Sequence, residues 1–270
     1  MKRAYVDTPE GQVHYRTEGK GQPLLLLHSA THSSLEFSRI IPILSNKYLV
    51  LAMDMLGCGE SDKPPRAYQV ADYCRSAASF LDAMRIKRAS VAGHHLGALV
   101  GVELAVTYPK LVNKLILSGA ISFSLAENPE ELSGAPPGLA FSSYTEAFRP
   151  LEITSDGSFM RQVWQKVHGR SPKASPELKY EMCLENLQSG PRGEEAHLAF
   201  VYYDPKPRLP LINCPTLVLS GREDAFISHL DNVKKLIPGA VSLIIEGPRS
   251  GDIVREMPFE FAEAVTEFLG

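Results

Sequence analysis

The chain has 270 residues, 44% of them hydrophobic and 22% charged, with a net charge of −3 and four cysteines. That composition suits one α/β domain of ordinary size with room for an insertion. It excludes a disordered chain and gives no basic patch for nucleic acid or an anionic membrane surface.

Cys58, Cys74, Cys183 and Cys214 are widely spaced, with no C-x-x-C pair, so free thiols are expected. Met1–Asp7 has no signal-peptide core, and no apolar run approaches the roughly 18 residues of a membrane span. A cytoplasmic protein is expected, with its oligomeric state open.

Lys2–Asp7 and Gln12–Thr17 alternate as two strands, joined by the turn Thr8-Pro9-Glu10-Gly11. Leu24–Leu27 is a continuous apolar run, the pattern of a strand buried on both faces. A polar loop, His28–Ser34, follows it. Leu35–Leu44 has helical spacing, and Tyr48–Met53 is a second buried strand. Val70–Met84 is amphipathic. Lys87–Ala92 predicts a strand, and the residues from Leu96 on predict a helix. Between them stands Gly93-His94-His95-Leu96-Gly97. Glycines two positions either side of a central residue allow a sharp strand-to-helix turn that displays the central side chain. Leu111–Leu117 is the next strand.

From about residue 121 to 206 no strong strand appears. Asn128–Gly138 is rich in proline, glycine and glutamate, and helical patches cover Phe159–Val167, Pro176–Leu187 and Glu194–Tyr203. Strand–helix alternation resumes with the strand Thr216–Leu219. A helix at Asp231–Leu236, a strand at Ala240–Ile245 and a helix at Phe259–Phe268 complete it. The pattern predicts a mostly parallel sheet with helices on both faces, because parallel neighbours need crossovers. The expected division is a core of 1–120 and 207–270 with a helical lid of 121–206. Ligands of such sheets bind at the carboxyl ends of the strands, so the loops after Leu27, Met53, Ala92, Leu117, Leu219 and Ile245 face one site.

Four stretches resemble the α/β-hydrolase superfamily. They are Gly93–Gly97 as the nucleophile turn, Leu27-His28-Ser29-Ala30 as the loop after the third strand, Asp54–Pro64 as the D-x-x-G-x-G-x-S-D-x-P segment, and Gly221-Arg222-Glu223-Asp224 as the acid loop. The nearest branch is the lid-bearing one of epoxide hydrolases, haloalkane dehalogenases and C–C hydrolases. Where that resemblance implies a serine, aspartate or cysteine nucleophile, the chain has His95. Where it implies the catalytic histidine, the register set by Glu256 and Pro258 gives Asp252. The resemblance also implies backbone oxyanion donors at Ala30 and Leu96, with His28, Ser29 and His94 supporting the site.

His95, Asp224 and Asp252 are therefore the candidate catalytic residues. His95 paired with Asp252 would serve as a general base, preferred over a role as nucleophile because the ring is bulky. The reading is a hydrolase with a non-standard triad, acting on a small, mostly apolar carbonyl or ester compound. The alternatives are a cofactor-free lyase, an inactive small-molecule binding or receptor protein, and an engineered replacement at position 95. No cofactor, metal, nucleic acid or membrane partner is expected; a metal held by His95, Asp224, Asp252 and His28 is the minor reading. Asp54 and Asp62 are expected to brace their loop, His32 and His229 to lie on loop surfaces, and Phe159, Trp164, Tyr202 and Tyr203 to pack as core.

Overall fold

The computed structural model describes residues 1–126, 149–247 and 252–270. Its strands are β1 (Lys2–Thr8), β2 (Gly11–Glu18), β3 (Gln22–Leu27), β4 (Tyr48–Met53), β5 (Ala89–His94), β6 (Val112–Ser118), β7 (Thr216–Gly221) and β8 (Val241–Ile245). They form one sheet in the order β1-β2-β4-β3-β5-β6-β7-β8. The β1–β2 and β2–β4 pairs are antiparallel, and every pair from β3–β4 to β7–β8 is parallel.

The apolar run in β3 explains its central place. Leu24, Leu25, Leu26 and Leu27 are fully buried, and successive side chains enter opposite layers. Leu25 and Leu27 pack with α2 (Val70–Ala83) and α3 (Leu96–Thr107). Leu24 and Leu26 pack with α1 (Ile41–Leu44) and with residues of the last two helices, α8 (Ile253–Glu256) and α9 (Pro258–Leu269). Each such leucine contributes about 1.5–3 kcal/mol by burial.

Between β6 and β7 the described residues form helices and no strand: α4 (Ser158–Arg170), α5 (Pro176–Gln188) and α6 (Ala196–Tyr202). α7 (Leu230–Leu236) returns to the sheet after β7. The proline-rich stretch Asn128–Gly138 lies outside the described residues. No helix among the described residues is long and apolar enough to cross a membrane.

Local chemistry accounts for the differences from the sequence pattern. The single helix expected over Leu35–Leu44 is broken into a 3-10 turn, Ser34–Phe37, and the short α1. Ser33 caps the first piece, and Pro42, without an N–H, starts the second. β8 is an edge strand, so Val241 and Leu243 are exposed despite their apolar character. Trp164 and Tyr202 are also exposed rather than core. Tyr203 instead donates its hydroxyl hydrogen to Glu103 Oε2 at 2.8 Å, tying the end of the insertion to α3.

Candidate active site

The turn from β5 into α3 brings its two glycines against backbone. A Cβ on Gly93 would lie 2.2 Å from the carbonyl oxygen of Gly97, and one on Gly97 would lie 2.0 Å from that of Leu27. No side chain fits either place. His95 at the apex has φ 48° and ψ −107°, a conformation that L-residues avoid. Its backbone N–H donates to Ser118 O at 2.9 Å, which fixes the turn on β6. Leu96 is the first residue of α3, so its N–H has no intrahelical acceptor and sits at the positive end of the helix.

The carboxylate that meets His95 is Asp224, not Asp252. His95 Nε2 lies 3.0 Å from Asp224 Oδ2. Asp224 Oδ1 accepts the N–H of Phe226 at 2.8 Å, which aims the carboxylate. Burial alone would push the Asp224 carboxyl up. The facing His95 and the hydrogen bonds more than reverse this, so it is held below the usual range. An ionised carboxylate accepts only, so Nε2 is the donor to Asp224, and in the neutral ring Nδ1 holds the lone pair. Among the described residues no group hydrogen-bonds Nδ1, and the His95 side chain is 28% exposed. Phe226 meets the ring edge-on with centroids 5.3 Å apart, and Phe200 of α6 lies at 6.3 Å. Two apolar rings thus flank the partly exposed imidazole.

Gly119 is the residue the sequence pattern passes over. It follows β6 with φ 62°, and a Cβ there would lie 2.2 Å from His95 Cδ2, 2.5 Å from Nε2 and 2.9 Å from Asp224 Oδ2. The His95–Asp224 contact exists because position 119 has no side chain. Gly119→Ala is therefore expected to part the pair. It should also lower stability by about 1 kcal/mol or more through its left-handed backbone. A crystal structure of the variant retaining the 3.0 Å contact would contradict this.

Asp252 sits elsewhere. It caps α8, accepting Arg255 N–H at 3.1 Å, and its Oδ2 lies 3.3 Å from Arg255 Nη1. Arg255 is buried and also binds Glu185 of α5 through Nη2. Glu185 accepts the N–H and hydroxyl of Ser33 at 3.0 and 2.8 Å, and its Oε2 lies 3.0 Å from His32 Nδ1. His32 is thus an anchor between core and insertion rather than loop surface. The pairing expected of Asp252 with His95 is not formed, because the guanidinium three residues on captures the Asp252 carboxylate.

His94 is part of this buried polar layer. Its Nδ1 donates to Glu36 Oε1 at 2.7 Å, and Nε2 is buried without a hydrogen-bond partner among the described residues. Glu36 also accepts the Ser29 N–H at 2.9 Å and the Ser29 hydroxyl at 3.1 Å. Ser29 thus fixes the loop before Ala30 with its own side chain. His28 is saturated: Nε2 accepts the Met55 N–H at 2.9 Å and Nδ1 donates to Ser29 O at 2.7 Å. Burial pushes its pKa down, so it is a neutral brace. Asp54, lowered to about 2, braces its own loop: against its burial it accepts from His14 at 2.9 Å, Ser34 N at 2.7 Å and Glu60 N at 2.8 Å. Asp62 accepts the Gln12 N–H at 2.8 Å.

His229 is buried, and its Nδ1 receives both the Ser122 N–H at 3.1 Å and the Ser122 hydroxyl at 3.0 Å.

Two trios bring one nitrogen or oxygen each within 4.8 Å: His94, His95 and Asp224, and Glu36, His94 and Asp252. Their close contacts are hydrogen bonds already made, His94 to Glu36, His95 to Asp224 and Asp252 to Arg255. We assign a metal to neither. The minor reading of a metal on His95, Asp224, Asp252 and His28 also fails on placement, since both His28 ring nitrogens are used.

A family model described as alpha/beta hydrolase fold matches residues 22–249. The chain belongs to the alpha/beta hydrolase fold family. This family member is 33% identical over 272 residues to 2-(acetamidomethylene)succinate hydrolase of Mesorhizobium japonicum, covering 98% of this chain and 94% of that one. It is 29% identical over 274 residues to 2-hydroxy-6-oxo-6-(2'-aminophenyl)hexa-2,4-dienoic acid hydrolase of Metapseudomonas resinovorans, covering 98% and 90%. Among solved structures, bromoperoxidase from Bacillus anthracis superposes with a TM-score of 0.84 at 20% identity, over 99% of both chains, which shows the shared fold.

Proposed function

We propose that this alpha/beta hydrolase is an enzyme in which His95, oriented by Asp224, is the general base for hydrolysis of a small, mostly apolar ester or carbonyl compound. The observation that carries it is the 3.0 Å contact of Nε2 with Asp224. It orients the ring so that Nδ1 is a lone-pair base beside Phe200 and Phe226. In the step, Nδ1 takes a proton from water while the water oxygen attacks the carbonyl carbon. The N–H groups of Leu96 and Ala30 hold the developing oxyanion. The imidazolium then returns the proton to the leaving oxygen as the carbonyl re-forms. The core of 1–120 and 207–270 carries these groups, and 121–206 acts as the lid, contributing Phe200. Curated relatives named as hydrolases of small organic acids favour hydrolysis over lyase chemistry.

The test is turnover of a panel of aryl esters, lactones and β-diketones by the wild type and Asp224→Asn. Asparagine can present a hydrogen-bond donor where Nε2–H needs an acceptor, so it disfavours the productive tautomer. A loss of about 10²-fold or more is expected. Binding of panel compounds with no turnover by the wild type would establish the binding-protein alternative. A fluorophosphonate should label nothing; labelling of Ser122, the serine bonded to His229, would move the chemistry to a different pair.

A further inference from the structure

Among the described residues, three that are not glycine have positive φ: Thr31 at 62°, Arg85 at 58° and His95 at 48°. Two of them border the oxyanion donors named above, since Thr31 follows Ala30 and His95 precedes Leu96. Thr31 is β-branched, the class for which a left-handed backbone is an outlier. Such a conformation persists only where the surroundings over-determine it. We propose that Glu185 of the insertion is a positioning residue for the oxyanion hole, holding Thr31 in this conformation and thereby aiming the Ala30 N–H. This deepens the reading of Ala30 as an oxyanion donor and rests on it.

The segment is gripped at both ends by buried carboxylates from different parts of the chain. At its start, Glu36 accepts the N–H and hydroxyl of Ser29. At its end, Glu185 Oε1 accepts the Ser33 N–H at 3.0 Å and the Ser33 hydroxyl at 2.8 Å, and Oε2 lies 3.0 Å from His32 Nδ1. Ala30, Thr31 and His32 must span the fixed gap between these grips. The His32 N–H closes on Ser29 O at 3.3 Å, and Asn186, next to Glu185 on α5, reaches Thr31 Oγ1 with Nδ2 at 3.4 Å.

The two grips differ in origin. Glu36 lies seven positions from Ser29, whereas Glu185 lies 152 positions from Ser33 and comes from α5. Arg255 Nη2 binds the Glu185 carboxylate and fixes it. Without Glu185 the far end is free. Thr31 then relaxes to the extended or right-handed backbone that threonine prefers, and the peptides on either side turn with it. The hole is therefore complete only while α5 is seated on the loop after β3, which couples seating of the insertion to stabilisation of the developing charge.

The test compares wild type, Glu185→Gln and Glu185→Gln/Thr31→Gly by crystal structure and by turnover of the ester and lactone panel. Glutamine offers one acceptor oxygen where two are used. In Glu185→Gln the φ of Thr31 should leave the left-handed region. Its kcat should fall about tenfold or more, with KM changed less than about threefold; losing an oxyanion donor outright costs about 10²–10³-fold. Glycine accepts positive φ at no steric cost, so Thr31→Gly in the same background should recover most of the lost kcat. A merely structural role for Glu185 predicts no such recovery. If Glu185→Gln does not fold, Arg255→Met/Glu185→Leu removes the grip without stranding either charge, and is read in the same way with and without Thr31→Gly. Thr31 still near φ 62° in a folded variant lacking Glu185, or a loss of kcat that Thr31→Gly does not relieve, overturns the proposal. A wild type inactive on the whole panel would sink the hydrolytic reading instead, and the backbone at residue 31 would then decide this proposal alone.

Discussion

His95→Gln should lower kcat/KM by about 10²–10⁴-fold on whichever panel compound the wild type turns over, the range that one general base contributes. Glutamine can still donate to Asp224 and fill part of the ring's space beside Phe226. It has no basic nitrogen, so binding should survive while proton transfer fails. The loss should therefore fall on kcat more than on KM. His95→Ser should not restore activity. A serine at the apex needs an imidazole to take its proton, and the nearest ring, His94, is turned to Glu36 at 2.7 Å. Recovery of turnover by His95→Ser, measured against the Gln variant, would refute the base role. His95→Gly offers a second check on the same site. At φ 48° and ψ −107° the histidine backbone is strained, which costs on the order of 1–3 kcal/mol. Glycine accepts such angles, so His95→Gly should be inactive yet no less stable in urea than the wild type. A strained position whose relief abolishes activity is strained for function.

The fold was legible because its signals are local and repeated. Leu24–Leu27, the glycines around His95 and the Gly221–Asp224 loop each specify a backbone geometry, and all reappear as read. The His95–Asp224 pair was partly legible, since both residues stand in loops at the same end of the sheet. The pairing expected of His95 with Asp252 was not, because Arg255 competes for that carboxylate and nothing in spacing alone reveals the competition. Glu36 was hidden for a similar reason. It lies within the apolar-spaced stretch Leu35–Leu44, and its burial makes sense only when Ser29 from the loop after β3 and His94 from the end of β5 meet it. Gly119 carried a faint signal, a glycine at a strand end that points at the site. Its meaning depends on a ring reaching over it from 24 positions earlier in the chain. What stayed unreadable is contact between side chains remote in sequence.

The largest stability effect is expected at Arg255. Arg255→Met should destabilise the protein by about 3–5 kcal/mol, the range for breaking a buried ion pair by removing one partner. The loss is not the contact itself. Glu185 would remain buried, held by Ser33 and His32 but facing no permanent cation. Glu185→Leu should be comparably costly, because Arg255 would then keep only Asp252 and His32. The double variant Arg255→Met/Glu185→Leu should lose less than the sum of the singles, with a coupling of about 1–3 kcal/mol, since the two apolar side chains leave neither charge stranded. Urea unfolding of the four proteins measures this, and strict additivity would show that the pair does not act as a unit. The pH dependence follows from the carboxylates. Glu185 is lowered in the folded protein, burial being outweighed by Arg255 and His32, and Glu36 and Asp224 are lowered too. A depressed folded-state pKa stabilises fully above the unfolded value, about 4, and the contribution is lost as pH falls through the folded value. Wild-type stability should therefore fall on acidification below about pH 4. In Arg255→Met that fall should be shallower, because Glu185 no longer differs as much between folded and unfolded chains. Since Glu185 belongs to the insertion and Ser33 follows the Ala30 loop, the same substitution should loosen the insertion over His95. Amide exchange in α5 should rise in Arg255→Met more than in α2, which does not touch the network.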